Sequence, residues 1–129
     1  MTYLLDANVL IALVFEEHEH HDRASVWIAG VDRFALCPVV EGALVRFVVR
    51  LGESADTAAA ITRRLHEMPT CDFWPDSISY AQVDLSHVDG HRQVTDAYLV
   101  GLARAHDARL ATMDEALARA VPDHTLLLP

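Results

Sequence analysis

L-L-D-A-N-V-L-I-A-L, residues 4–13, decides the fold. Tyr3 to Asp6 is a short apolar run ended by a carboxylate, and Asn8 two positions on is placed to cap a helix over Val9 to Phe15. Strand, tight turn and helix follow one another within a dozen or so residues, which is how an α/β domain begins. Asp6 stands out because a carboxylate that closes a buried strand is costly unless it is paired or holds a cation. The rest of the chain repeats the alternation. Ala24, Ile28 and Ala29 outline an amphipathic helix that Gly30 ends. Phe34 to Cys37 reads as a strand, Pro38 starts a helix over Val39 to Leu51, and Gly52 terminates it. Ser54 opens an alanine-rich helix to about Met68, Cys71 to Trp74 is a further strand, and Ser79 with Gln82 has capping-box spacing. Thr95 is placed to cap a helix reaching His106, Arg109 to Thr112 is a strand, Thr112 with Glu115 is a second capping box, and His124 to Leu128 is the last strand. The expectation is one α/β domain over residues 1–129, with a mostly parallel central sheet of four to five strands flanked by helices.

Composition narrows the chemistry. The longest uncharged apolar run, Val9 to Phe15, is too short to span a bilayer, no basic leader precedes it, and a soluble, cytoplasmic protein without a membrane partner is expected. Cys37 and Cys71 sit in separate apolar runs and read as small buried hydrophobes of a reducing compartment, not as a zinc or disulfide framework. All ten basic residues are arginine, so mechanisms that need a lysine are excluded. That removes the haloacid dehalogenase phosphatases, which also want D-x-D where this chain has Asp6-Ala7-Asn8, and the phospho-receiver domains. The chain has no G-x-G for a dinucleotide and no Gly-Lys for a P-loop.

Among 19 acidic residues, four stand where a strand ends or a helix begins, in apolar surroundings: Asp6, Glu41, Asp96 and Asp114. Ligands of parallel α/β sheets bind beyond the carboxyl ends of the strands, so these four could converge there. Singly, Glu41, Asp96 and Asp114 also fit an ordinary place in a first helical turn, where the helix dipole favours a carboxylate. Together they would repel, and a divalent cation resolves that; an oxygen-only donor set suits magnesium or manganese. The net charge of -9 is unusual for a nucleic-acid enzyme, but carboxylates that belong to a cation site would not all act as bare charges. Asn8, Thr95 and Thr112 are candidates for supporting the cation site as well as for helix caps. Arg46 and Arg92 lie near Glu41 and Asp96 in sequence and could meet a phosphate. The run Glu16 to Asp22, rich in histidine, lacks H-E-x-x-H spacing and reads as a solvated link. Trp27, Trp74, Phe34, Phe47 and Phe73 read as core.

Four ordered blocks, L-L-D-A-N-V-L-I-A-L from Leu4, C-P-V-V-E-G-A-L-V-R from Cys37, H-R-Q-V-T-D-A-Y-L-V-G-L-A from His91 and L-A-T-M-D-E-A-L from Leu110, resemble PIN-domain proteins, specifically VapC-type toxins. The resemblance covers nearly the whole chain. It implies that Asp6, Glu41, Asp96 and Asp114 are catalytic, metal-binding carboxylates, with Asn8, Thr95 and Thr112 nearby and Arg46 on the substrate side. It further implies Mg2+- or Mn2+-dependent endonucleolytic cleavage of RNA, homodimerisation, inhibition by a VapB-type antitoxin, and a heterotetramer or larger assembly with it. A catalytically silent protein-interaction module on the same scaffold is the alternative.

Overall fold

Five short strands, all parallel, form one sheet in the order β3-β2-β1-β4-β5 in a computed structural model that describes residues 1–129. They are β1 (Thr2–Leu5), β2 (Arg33–Leu36), β3 (Cys71–Phe73), β4 (Arg109–Thr112) and β5 (Thr125–Leu127). Between them run α1 (Ala7–Val14), α2 (His21–Ala29), α3 (Pro38–Arg50), α4 (Ala55–His66), α5 (Val94–Ala105) and α6 (Glu115–Ala120). Parallel strands are covered on both faces, and the middle of each central strand is accordingly apolar: Leu4, Leu5, Ala35, Leu36, Leu110 and Ala111 are fully buried. α1 packs on α2 and α3, α3 packs on α4, and α5 lies against β1 and β4. No helix is long and apolar enough to cross a membrane. The chain first builds outward from β1 through β2 to β3, then returns to place β4 on the other side of β1. That reversal of strand order makes the carboxyl ends of β1 and β4 the place where such a sheet opens a crevice.

The element order matches the expected one, and the differences lie at helix ends. Asp6, not Asn8, caps α1: its Oδ1 accepts from the Ala7 amide at 2.8 Å, so the helix begins at Ala7 and Asn8 sits in its first turn. Thr95 is not a cap either. A 3-10 turn over His91–Gln93 runs directly into α5, and the Gln93 side chain folds back to accept from the Asp89 and Gly90 amides. The Thr112–Glu115 box is replaced by Asp114, which caps α6 by accepting from the Leu117 amide at 3.1 Å. α4 ends at His66 instead of near Met68, in keeping with the bias of a residue before proline, here Pro69, against helical backbone. Ser54 caps α4 and Ser79 with Gln82 closes a capping box, both as expected. Phe73 corrects the core assignment: it is 46% exposed, because β3 is an edge strand. Cys71, on the same strand, is only half-buried, whereas Cys37 is fully enclosed.

Gly52 just beyond α3 has φ +93, a left-handed backbone that a β-carbon opposes. An added Cβ would meet nothing within 4 Å, so the cost of Gly52→Ala is one of backbone alone. Chemical denaturation is expected to show a loss of about 1 kcal/mol with an unchanged slope. A midpoint equal to that of the wild type would contradict the assignment.

Candidate active site

Asp6, Thr112 and Asp114 are tied together across the carboxyl ends of β1 and β4. β4 ends at Thr112, whose side chain is fully buried. Its hydroxyl donates to Asp6 Oδ2 at 2.7 Å and accepts from the Asp114 amide at 3.1 Å. Asn8 adds a long contact from Nδ2 to Thr112 Oγ1 at 3.5 Å, and its Oδ1 accepts from the Met113 amide at 3.3 Å. One hydroxyl thus bonds the Asp6 carboxylate and the backbone of Asp114, and Asn8 clamps the β4–α6 turn onto the start of α1. Thr112 bonds the Asp6 carboxylate directly, whereas Asn8 reaches only Thr112 and the Met113 amide, and neither serves as a helix cap.

Asp96 enters from the first turn of α5, half-buried. Burial pushes its carboxyl up from the ordinary 3.8 to about 6, and the charges of Asp6 and Asp114 push in the same direction, with no hydrogen bond to offset them. Asp6 is also raised, chiefly by burial and further by Asp114, against the lowering effect of the bonds from Thr112 and Ala7. Three carboxylates that sense one another's charge therefore share this end of the sheet.

Glu41 stands apart from them. It lies in the first turn of α3, and its carboxylate is engaged by His66 Nε2 at the end of α4. Neither Asp6 nor Asp96 owes its shift to Glu41, whereas the Cys71 thiol does feel it. The four expected carboxylates are thus three together and one beside them, turned towards its own partner. No three of the chain's His, Cys, Asp and Glu side chains close around a single point as they stand. Arg46, midway along α3, is exposed, and so are Arg92 and Thr95. None of the three is hydrogen-bonded or ion-paired to a carboxylate. His66 was not foreseen from the sequence: it is one histidine among eight, and nothing in its spacing links it to a glutamate 25 residues earlier.

The donor set fits a hard divalent cation. Every group is an oxygen, the carboxylates are partly dehydrated, and Asp96 lacks any hydrogen-bond donor. Magnesium keeps several of its waters and binds through one or two carboxylates, so an open arrangement of Asp6, Asp96 and Asp114 suits it better than a closed cage would.

The PIN-domain family profile matches residues 3–121. Ribonuclease VapC29 of Mycobacterium tuberculosis is 52% identical over 100% of this chain and 98% of its own length. Among solved structures, VapBC2 from Rickettsia felis, bound to a DNA fragment from its promoter, superposes with a TM-score of 0.70 at 14% identity, covering both chains fully. A toxin–antitoxin complex from Klebsiella pneumoniae gives 0.68 at 16% identity over 98% of each chain. A profile match over most of the chain, a full-length relative sharing half its residues and a common sheet topology place it without ambiguity: the chain belongs to the PIN-domain family, among its VapC-type members.

Proposed function

We propose that this chain is a magnesium- or manganese-dependent endoribonuclease, the toxin half of a toxin–antitoxin pair, held inactive by a VapB-type antitoxin. The observation that carries the reading is Asp96, a half-buried carboxylate with no donor of its own, set beside Asp6 and Asp114 and raised to about 6. Carboxylates crowded in this way ask for a cation. Asp6, Asp96 and Asp114 would hold it, with Glu41 joining from α3. A bound divalent ion would supply Lewis-acid activation of water and charge neutralisation at a phosphodiester. The protein's part is to hold the acids. Thr112 orients Asp6 and positions Asp114 through its amide, Asn8 locks the turn between them, and Asp96, lacking a competing donor, stays available. Arg46 and Arg92 are the arginines assigned to phosphate or antitoxin contact. The names of the relatives support RNA as the substrate class and an antitoxin as the partner. Homodimerisation, and a heterotetramer or larger assembly with the antitoxin, belong to the same reading.

Incubation of total RNA with the purified chain tests it. Cleavage is expected with Mg2+ or Mn2+, is expected to stop with excess chelator, and is expected to return when metal is restored. Cleavage indifferent to chelator would remove the metal from the mechanism. Absence of cleavage under every condition, with a folded chain, would favour the silent interaction module.

A further inference from the structure

An open groove of about 630 Å³ runs between α3 and α4 and begins at Glu41. Gly42, Val45, Thr62, Arg63 and His66 line it with Glu41. Two features of this groove, and one ring beside it, are unused by the reading above. Arg63 is exposed and forms no ion pair, which leaves its guanidinium free in a chain of strongly acidic balance. Gly42 leaves the wall open, since a Cβ there would meet nothing within 4 Å. Phe73, 46% exposed at the carboxyl end of β3, lies against the His66 ring, with centroids 5.6 Å apart and planes inclined by 36°. Phe73 therefore offers an accessible ring face beside the histidine that holds Glu41.

The register extends the site in this direction. Phe73 pairs with Leu36 at the end of β2, immediately before the turn that leads to Glu41. Along the carboxyl edge of the sheet, the order is therefore Phe73, Glu41, Asp6 and Thr112. Single-stranded RNA is recognised by stacking unpaired bases on aromatic rings and by cations on the backbone, and both elements are present here in sequence with the acids.

We propose that the α3–α4 groove is a nucleotide subsite, in which a base flanking the scissile bond of single-stranded RNA stacks on Phe73 and His66 while Arg63 meets an adjoining phosphate. This rests on the ribonuclease reading and adds to it the position of the substrate. Arg63 is the arginine that lines the groove; Glu41 and Glu67 are its carboxylates, and that of Glu41 is engaged by His66.

The test uses the full chain, a single-stranded RNA oligonucleotide that the wild type cuts, and three variants. Phe73→Ala is expected to raise KM about tenfold with a smaller change in kcat, as loss of one stacked base implies. Phe73→Trp is expected to restore KM. Gly42→Leu puts a side chain into the groove from a helical position where a Cβ meets nothing within 4 Å, and it is expected to fold and to raise KM also. In parallel, the four nucleoside monophosphates are titrated in chelator while the Gly42 and Thr62 amide resonances are followed. Shifts that Phe73→Ala weakens are expected. A wild-type KM in both Phe73→Ala and Gly42→Leu, or monophosphates that leave those amides unmoved, would overturn the subsite. A wild type that cuts no RNA would overturn the ribonuclease reading instead, and the titration alone would then decide the groove.

Discussion

Asp96→Asn is expected to yield a chain that no longer cuts RNA yet melts at a higher temperature than the wild type. The folded-state carboxyl is raised from 3.8 to about 6, so folding favours its protonated form. Between those values the folded state binds more protons than the unfolded one, and stability falls as pH rises through the window. Above about 6 the full cost is present. Raising a carboxyl from 3.8 to about 6 corresponds to about 3 kcal/mol, which solvent screening of a partly exposed group reduces to about 2 kcal/mol. Asparagine keeps the shape and removes the charge. In chelator at neutral pH, Tm should therefore rise by several degrees, at about 4 °C per kcal/mol for a domain of this size. The gain should vanish below about pH 4, where Asp96 is protonated in both states. Activity should drop by more than about 100-fold, beyond the 10- to 100-fold typical of a metal's outer partners. Added Mg2+ should raise the wild-type Tm and leave that of the variant nearly unchanged. Calorimetry across pH, with and without metal, reads all of this. A variant that melts lower at neutral pH, or still cuts RNA at the wild-type rate, would remove Asp96 from the site.

Thr112→Val should have the opposite effect on stability. Valine matches the shape of threonine in a fully buried position, so the change isolates the hydroxyl. Asp6 then loses the donor at 2.7 Å, and the Asp114 amide loses its acceptor at 3.1 Å. Leaving a buried charged group and a backbone donor unsatisfied costs about 3 kcal/mol, or a Tm lowered by about 10 °C. The pH dependence has a definite sign. Thr112 is what holds the Asp6 carboxyl down against burial, so without it that carboxyl rises further. The loss should be largest at neutral and alkaline pH and should shrink in acid, where Asp6 is protonated in either protein. Cleavage should fall about 10- to 100-fold, with partial recovery at higher Mg2+. A wild-type melting curve would show that the hydroxyl does not pin the two strands' ends.

The sheet is legible in the sequence because the middle of each central strand is apolar (Leu4-Leu5, Phe34-Ala35-Leu36, Leu110-Ala111) and is bounded by Asp6, Pro38 and polar turns, and such runs have few other ways to be buried. Helix ends were less so. Asp6, Asn8, Thr112 and Asp114 are all competent caps, and the choice among them depends on which side chains β1 and β4 bring face to face. The same applies to the site. Asp6 stands out by closing a buried strand, whereas Glu41, Asp96 and Asp114 taken singly also fit an ordinary first helical turn. The turning of Glu41 towards His66 depends on the packing of α3 on α4, a relation between two helices that no local pattern encodes. Phe73 was read as core because apolar periodicity cannot tell an edge strand from a central one.

The hydroxyl–carboxylate bond between Thr112 and Asp6 joins residues 106 apart, through two strands that neighbour each other only because the strand order reverses. During synthesis the segment through β3 can collapse early, but Asp6 meets its counterpart only once β4 has been made. On the ribonuclease reading, a chain stopped before β4 lacks both Thr112 and Asp114 and is expected to cut nothing.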